Sequence, residues 1–377
     1  MKKEVYIFGA GRNGRELLRH IGGAIAFIDN DPAKQSSVID GLECISMETA
    51  VYRGAENGTI LVSIRKDKKI EEQLEQYHFR KVCWCAEWLR KHRYYKPIVL
   101  EETDFRNAFP FNHYESPYPD IVEVHNKEKE IFDRNKKVLD IDFNVDRQLE
   151  LIKEMENISL LEWSDGKTEG MQTRYSYRNG WFDKGSADAL YYMMRIIKPR
   201  NIIEVGSGYS TAVMLDTNEF CFNNEIRIIS IEPNADRLKS LLKSSDNLQI
   251  YEQKLQEIPY VLFDSLEEND ILFIDSSHVS RIGSDVNYIF FEILPRLKKG
   301  VYIHFHDMFY PFIYPEEWVY SGRAYSEMYI LRAFLMNNKE YSMQLFGDML
   351  SRKYSEKIPE KLRGCGEASL WIRKEQM

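Results

Sequence analysis

The sequence lacks the features of a membrane or secreted protein. None of its 377 residues fall in an apolar run that approaches the roughly 20 residues needed to cross a bilayer. The amino terminus shows no apolar segment followed by a small-residue cleavage site, so we expect no signal peptide. The five cysteines are scattered and none stands in a paired zinc spacing. We therefore expect a cytoplasmic protein with reduced cysteines.

Concentrated positive charge is also missing. Charged residues make up 29% of the chain, the net charge is −8, and no block of Lys and Arg is long enough for a nucleic-acid or membrane patch. This excludes nucleic acid as an expected partner and favours a small-molecule or glycan acceptor. The sequence does not decide the oligomeric state, so a homo-oligomer is left open.

The order of apolar and polar segments predicts three parts. Residues 1–95 alternate strand and helix patterns, which indicates a small Rossmann-like α/β domain. Residues 96–180 are rich in Pro, Tyr, Asn and Asp and predict an ordered, aromatic-rich connector with one helix. Residues 181–377 alternate again. The fold class is therefore α/β, with a second and larger Rossmann-like sheet in the carboxyl-terminal part.

Two further patterns refine the carboxyl-terminal part. Apolar residues recur at helical spacing through 286–297, which predicts one helix there. Residues 342–346 and 369–373 have the pattern of two strands, which we expect to pair antiparallel.

A glycine-containing turn follows the first strand of this part. The stretch runs Glu204-Val205-Gly206-Ser207-Gly208-Tyr209-Ser210, and ligands of open α/β sheets bind at such strand ends. Gly206 and Gly208 allow the backbone to turn sharply and approach a ligand. We expect Glu204 to bind an amino group or a structural water, with Ser207 and Ser210 also at the ligand.

The second strand of this part ends at Glu232. A carboxylate at that position suits the two hydroxyls of a ribose, because it accepts both hydrogen bonds. The third glycine of a dinucleotide fingerprint would fall at Thr211 and is absent, which favours a cofactor without a pyrophosphate. Together, Glu204, Gly206, Gly208 and Glu232 resemble the cofactor site of class I S-adenosylmethionine-dependent methyltransferases, and that resemblance implies S-adenosylmethionine as the cofactor.

Two later strand ends carry polar side chains. Asp275-Ser276-Ser277-His278 follows one apolar strand, and His306-Asp307 follows the next. Both should reach the same edge of the sheet as the glycine turn. Over residues 180–373 the combination resembles a bacterial branch of class I methyltransferases from polysaccharide and natural-product pathways. The resemblance implies methylation of a sugar or sugar-bearing metabolite, with the acceptor near these side chains.

Methyl transfer to a hydroxyl requires that its proton leave. We expect His278 to act as the general base, since a neutral imidazole titrates in the right range, with Asp275 and Asp307 also catalytic. Asp275 is also expected to bind the cofactor. A divalent cation at Asp275, His306 and Asp307 is the alternative. Related sugar and antibiotic methyltransferases have an acidic residue where His306 stands, so a site here would suit Mn²⁺, Fe²⁺ or Zn²⁺ better than Mg²⁺. His304 shares a strand face with His306 and is expected to be a hydrogen-bonded core residue.

Aromatic and polar residues flank this expected site in sequence. One group precedes the first helix of the domain and is expected to cover the cofactor, and a second follows the fifth strand, where a substrate lid usually forms. The first group is Tyr175, Tyr177, Asn179 and Trp181, and the second is Tyr310, Trp318, Arg323 and Glu327.

The amino-terminal part contains a complete G-x-G-x-x-G motif. Gly9, Gly11 and Gly14 lie between a strand and a helix, and Asp29 ends the next strand. The motif favours a phosphate at the helix amino terminus. This part resembles the small amino-terminal domains of bacterial sugar acetyltransferases, which bind nucleotide-sugars. A degenerate domain that serves only as a docking platform is the other interpretation.

Three hypotheses therefore follow. The first is an S-adenosylmethionine-dependent O-methyltransferase acting on a sugar, with N-methylation of an amino sugar as a close variant. The second is a nicotinamide-dependent sugar oxidoreductase that uses the amino-terminal motif. The third is a non-catalytic nucleotide-sugar-binding protein.

Overall fold

The chain divides into two compact units. In the computed structural model, internal contacts separate residues 1–116 from residues 117–377. The structure describes residues 5–21, 23–64, 66–79, 81–85, 115–161, 163 and 173–376. Part of the predicted connector, residues 96–114 and most of 162–172, lies outside the described residues. Its described portion from Pro117 onward belongs to the second unit.

The first unit is built on a mostly parallel sheet. Its described strands follow the order β3-β4-β2-β1-β5-β6, in which only the β3–β4 pair is antiparallel. Strand β1 lies at the centre, with its apolar side chains buried on both faces. The strands are β1 (Val5–Phe8), β2 (Ala26–Ile28), β3 (Val38–Ile39), β4 (Leu42–Ile45), β5 (Thr59–Val62) and β6 (Val82–Trp84), and the helices are α1 (Arg12–Ile21), α2 (Met47–Tyr52) and α3 (Lys68–Gln76).

The second unit contains a larger sheet. Its order is β12-β13-β11-β10-β7-β8-β9, with β7 to β11 parallel and β13 antiparallel to both β11 and β12. The strands are β7 (Asn201–Val205), β8 (Arg227–Ile231), β9 (Gln249–Tyr251), β10 (Ile271–Ile274), β11 (Tyr302–His306), β12 (Tyr341–Phe346) and β13 (Ser369–Lys374). The α/β class and the antiparallel pair at the carboxyl end are thus confirmed.

Helices cover the faces of this sheet. Helix α7 begins after Asp183, whose side chain accepts a hydrogen bond from the Ser186 amide, and it ends at Lys198 before Pro199. Among the described residues, no helix is long and apolar enough to cross a membrane. The helices are α4 (Ile121–Asn126), α5 (Glu128–Ile131), α6 (Val145–Glu156), α7 (Lys184–Ile197), α8 (Tyr209–Phe222), α9 (Asp236–Leu241), α10 (Asp285–Tyr288), α11 (Glu316–Tyr320), α12 (Glu327–Leu335) and α13 (Gly347–Lys353).

The sequence predicts one regular helix over 286–297, and this prediction is wrong, because the segment changes its helix type twice. Helix α10 passes into a π-helical segment, Ile289–Ile293, and then into a 3₁₀ turn, Leu294–Arg296. Pro295 has no amide hydrogen to donate, so a regular helix cannot continue unbroken through it. The apolar face is nevertheless buried as the periodicity predicts, with Val286, Ile289 and Ile293 fully inaccessible.

A buried ionic cluster fixes the segment that precedes α7. The Arg174 side chain is 3% exposed and binds three carboxylates, those of Asp216, Glu219 and Asp246. The Asp216 carboxylate also accepts hydrogen bonds from the Arg174 and Tyr175 amides and from the Trp163 indole. These bonds tie the segment to helix α8, which carries Asp216.

Replacing Arg174 should therefore destabilise the second unit. In Arg174→Met, the fully buried Asp216 carboxylate and the nearby Asp246 lose their counter-ion, at an expected cost of about 3–5 kcal/mol in the free energy of unfolding. Urea denaturation would measure this. The matched control is Arg363→Met at an exposed position, with an expected change within about 0.5 kcal/mol. Equal effects of the two substitutions would contradict a stabilising role for the cluster.

Candidate active site

The loops that follow β7 and β10 contact each other at the carboxyl edge of the larger sheet. Gly206 has a φ of +78°, and a Cβ atom there would lie 1.9 Å from the Asp275 carbonyl oxygen. The Asp275 amide donates to the Val205 carbonyl at 2.8 Å, and the Gly206 amide donates to the Ile231 carbonyl at 3.0 Å. Position 206 therefore accepts only glycine, and the missing side chain lets the glycine turn pack against the Asp275 backbone.

Glu204 lies beneath this turn. Its side chain is completely buried and accepts hydrogen bonds from the hydroxyls of Ser210 at 2.6 Å, Thr211 at 2.6 Å and Ser230 at 2.7 Å. The sequence predicts that this carboxylate faces the cofactor, whereas in the structure it accepts hydrogen bonds from three hydroxyls of the chain itself. Its observed role is to hold the turn on β7 and β8, and a cofactor contact by Glu204 or Ser210 stays a prediction.

Glu232 reaches the same turn from the end of β8. One carboxylate oxygen accepts from the Ser207 amide at 3.2 Å, and the other accepts from the Asn234 amide at 2.8 Å. The Ser207 hydroxyl is buried and has no hydrogen-bond partner among the described residues. Gly206, Ser207, Gly208 and Glu232 thus lie together, as the sequence predicts for a nucleoside site, with one polar atom unpaired.

The side chains after β10 and β11 converge on His278. Its Nε2 lies 3.4 Å from an Asp275 oxygen and 3.5 Å from an Asp307 oxygen, and its Nδ1 lies 2.8 Å from a Glu327 oxygen. His278 and Asp307 both have a φ of +59°, a strained conformation for residues other than glycine. Among the described residues, Asp275, His278 and Asp307 form a group whose ligand atoms lie within 4.8 Å of one another.

The charges in this cluster are interdependent. Burial lowers the pKa of His278, but hydrogen bonds to Asp275 and Glu327 and their charges outweigh it and raise the pKa well above its ordinary value. Burial raises the Asp275 pKa, yet the charges of His306 and His278 lower it overall. The Asp307 pKa is raised, because burial there exceeds the effect of both histidines. A raised pKa favours the protonated imidazole over the neutral form that a general base needs, and the role of His278 as the base stays a prediction.

Glu327 is a site residue that the sequence does not connect to His278. Its position after the fifth strand predicts a place in the substrate lid, but its side chain is 1% exposed and also accepts a hydrogen bond from the Ser276 hydroxyl at 2.9 Å. It therefore fixes both the loop after β10 and the orientation of the His278 ring. Because Glu327 lies on α12, 49 positions after His278, no local pattern could have paired them.

His304 and His306 share one face of β11 by strand alternation. The His304 ring stacks on Phe273 at 4.0 Å, and the His306 ring lies 5.1 Å from that of Phe182. The His306 Nε2 also lies 3.6 Å from an Asp307 oxygen, and its charge lowers the Asp275 pKa, so His306 borders the group of three. The ligand set Asp275, His306 and Asp307 stays a prediction, and His278 is a second imidazole beside the same two carboxylates. His304 is in the core as expected, but its Nδ1 has no hydrogen-bond partner among the described residues.

The glycine motif of the first unit has a different arrangement. A Cβ on Gly14 would lie 1.8 Å from the Gly9 carbonyl oxygen, whereas a Cβ on Gly11 would meet open space. The Asp29 carboxylate accepts from the Ala10 amide at 2.8 Å and from the Asp31 amide at 2.9 Å. Asp29 is thus engaged within the chain, and its predicted contact with a nucleotide stays a prediction.

Comparisons with known proteins agree with this architecture. Residues 203–308 match the family described as a methyltransferase domain. An uncharacterized protein of Archaeoglobus fulgidus is 34% identical over 169 residues, which cover 43% of this chain and 76% of that protein, and the two chains belong to one family. The residues that match the methyltransferase domain include the glycine turn, Glu232, Asp275, His278 and Asp307.

Solved methyltransferase structures are also similar. The Podospora anserina methyltransferase PaMTH1, bound to S-adenosylhomocysteine, has 14% identity and a TM-score of 0.35, over 72% of this chain and 100% of that chain. A CmcI structure described with Mg and S-adenosylmethionine has 21% identity and a TM-score of 0.33, over 58% of this chain and 82% of that chain.

Glu204 yields a prediction about stability and pH. Burial outweighs its three hydroxyl donors and raises its pKa from 4.5 to about 7. Between these values the folded chain binds the proton more tightly than the unfolded chain does, so the free energy of unfolding falls as the pH rises from 4.5 through 7. Relative to Glu204→Gln, the wild-type protein should lose up to about 3 kcal/mol across this window. Urea denaturation as a function of pH would measure the difference, and parallel curves for the two proteins would contradict it.

Proposed function

We propose that the chain transfers the methyl group of S-adenosylmethionine to a hydroxyl of a sugar or a sugar-bearing metabolite. The observation that carries this proposal is the contact between the glycine turn and Asp275, which brings a cluster of one imidazole and three carboxylates to the cofactor edge of the sheet. The sulfonium already activates the methyl group. The protein therefore has to align the acceptor oxygen and remove its proton.

The cofactor would lie across the ends of β7 and β8. The Glu232 carboxylate would accept hydrogen bonds from the two ribose hydroxyls, and the backbone of Gly206 and Gly208 would allow the sulfur-bearing chain to approach closely. The unpaired Ser207 hydroxyl supports a polar ligand at this position. Asp275, whose side chain is 32% exposed, would face the cofactor amino group.

Aromatic side chains beside His278 support a sugar acceptor. The Tyr325 ring lies 5.0 Å from the His278 ring, and the Trp318 ring lies 5.8 Å from that of Tyr325; both side chains are partly exposed. Aromatic faces pack against apolar surfaces, and the carbon-bound hydrogens of a sugar ring form such a surface. This wall belongs to the segment after β11 that was expected to form a lid.

The same cluster suits a divalent cation. Asp275, His278 and Asp307 would supply two carboxylates and the His278 Nε2, while Glu327 holds the opposite ring nitrogen, as carboxylates commonly do behind metal-bound histidines. A bound cation would lower the pKa of the acceptor hydroxyl. The mixed oxygen and nitrogen donors favour Mn²⁺, Fe²⁺ or Zn²⁺ over Mg²⁺. Without a cation, a carboxylate of the cluster would accept the proton of the acceptor hydroxyl.

Nucleotide-sugar binding by the first unit also remains a proposal. The open space at Gly11 and the absence of an acidic residue in the first turn of α1 support an anion there. Asp29 accepts from two backbone amides, as Glu232 does, but it also pairs with the Lys34 ammonium at 3.2 Å. This ion pair gives no support to the nicotinamide hypothesis, in which the Asp29 carboxylate would bind a ribose.

Cofactor binding can be tested by calorimetric titration with S-adenosylhomocysteine. We expect the wild-type protein to bind it and Glu232→Gln to bind it about tenfold or more weakly, because an amide oxygen replaces a carboxylate that accepts two hydroxyls. Glu225→Gln, at an exposed position before β8, is the matched control and should bind as the wild type does. Equal affinities for the two variants would contradict the ribose assignment, and no binding by the wild type would contradict the proposed function.

The acceptor class can be tested by incubating the protein with S-adenosylmethionine and separate pools of sugars, nucleotide-sugars, amino sugars and non-sugar alcohols. Mass spectrometry should reveal the gain of one methyl group on a sugar hydroxyl, because the His278 cluster and the aromatic wall suit such an acceptor. Asp307→Asn retains a side chain that tolerates a positive φ but lacks the charge, and it should abolish the product. Methylation confined to the non-sugar pool would contradict the sugar assignment.

The metal ligands can be distinguished by Mn²⁺ titration followed by electron paramagnetic resonance. If the cluster binds a cation, His278→Asn should weaken Mn²⁺ binding at least about tenfold more than His306→Asn does, because only His278 shares the group with both carboxylates. A larger loss of Mn²⁺ affinity in His306→Asn than in His278→Asn would favour the ligand set predicted from the sequence, Asp275, His306 and Asp307. No binding by the wild-type protein would contradict a Mn²⁺ site.

A further inference from the structure

An exposed tryptophan and an exposed arginine stack beside the glycine turn. Trp181 is 62% exposed, and the Arg237 guanidinium carbon lies 3.9 Å from the centre of its ring system. Trp181 precedes helix α7, and Arg237 lies in the first turn of α9. The stacking fixes the orientation of a guanidinium group that lies at the surface and not in the core.

Arg237 lies directly against the turn. A Cβ atom on Gly208 would be 3.5 Å from the Arg237 Cδ and 3.9 Å from its Nη1. Helix α8 begins at the next residue, Tyr209, extends for 14 residues and has no acidic residue in its first turn. The guanidinium and the positive end of the α8 dipole therefore lie on the same side of the turn.

Within the described part of the chain, no carboxylate pairs with Arg237: it forms no ion pair of 4.0 Å or less, unlike Arg174. Its charge acts at longer range on Asp275, whose pKa it lowers by less than His306 and His278 do. In the residue before Gly208, the buried Ser207 hydroxyl also has no partner among the described residues. The turn thus contains an unpaired hydroxyl, leads directly into a helix amino terminus and packs against a cation at Gly208.

The cofactor of the proposed reaction matches this distribution of charge. Its amino-acid end carries an ammonium and a carboxylate, and its ribose carries two hydroxyls. Asp275 and Glu232 suit the ammonium and the hydroxyls, but neither suits the carboxylate, which needs a cation or amide donors.

We propose that Arg237, oriented by Trp181, binds the carboxylate of the amino-acid part of S-adenosylmethionine and makes the site select ligands that carry it. This inference rests on the proposed function and deepens it by assigning a specificity residue for the cofactor. A guanidinium oriented before binding loses little freedom when it pairs with a carboxylate, so the pair contributes affinity efficiently.

The test compares S-adenosylmethionine with decarboxylated S-adenosylmethionine, which differs from it only by the carboxylate. Calorimetry should show that Arg237→Gln weakens binding of S-adenosylmethionine at least about tenfold, through the loss of a charge-assisted pair. Binding of the decarboxylated compound should be unchanged or tighter, because a cation is removed from beside a cationic ligand. Trp181→Leu should weaken S-adenosylmethionine binding in the same selective way, by a smaller factor.

The matched control is Arg227→Gln, which removes the same charge from the opposite end of β8, where Arg227 donates to Gln249. It should leave both affinities unchanged. Equal weakening of both ligands by Arg237→Gln would assign Arg237 a structural role and overturn the inference, as would an unchanged affinity for S-adenosylmethionine. If the wild-type protein bound neither ligand, the proposed function itself would fail. If it bound both and the substitution did not discriminate between them, only this inference would fail.

Discussion

The close approach of the Gly206 and Asp275 backbones is the constraint on which the site depends. A side chain at position 206 would overlap the Asp275 carbonyl oxygen, so the two loops can meet only through glycine. Their meeting brings a turn suited to a nucleoside ligand next to the carboxylate that begins the His278 cluster. Strands β7, β10 and β11 are parallel neighbours, so the side chains that follow all three strands lie at one edge of the sheet.

The acids at this edge have two different surroundings. Glu204 is completely buried among three neutral hydroxyl donors and has a raised pKa, and it holds the turn in place. Asp275 and Glu327 instead contact an imidazole whose pKa they raise. In the proposed reaction Glu204 is therefore a structural support, and the other two acids belong to the cluster at which the acceptor proton would leave.

The features that the sequence predicts correctly are local ones. The α/β alternation, the glycine turn and the polar residues at the strand ends each depend on neighbouring residues, and parallel strands bring such ends together. The contacts that the sequence could not predict join distant segments: Glu327 orients His278 from α12, Arg174 binds Asp216 and Asp246, and Arg237 stacks on Trp181. The sequence places His306 beside the carboxylates, and the structure adds His278 as a second imidazole next to the same two groups.

The most direct test of the account is a crystal structure with bound S-adenosylhomocysteine. We predict that the ribose contacts Glu232, that the amino-acid part lies over Gly206 and Gly208, and that the sulfur faces the cluster of Asp275, His278 and Asp307. Binding elsewhere in the chain, or a sulfur turned away from that cluster, would contradict the central claim that this sheet edge transfers a methyl group.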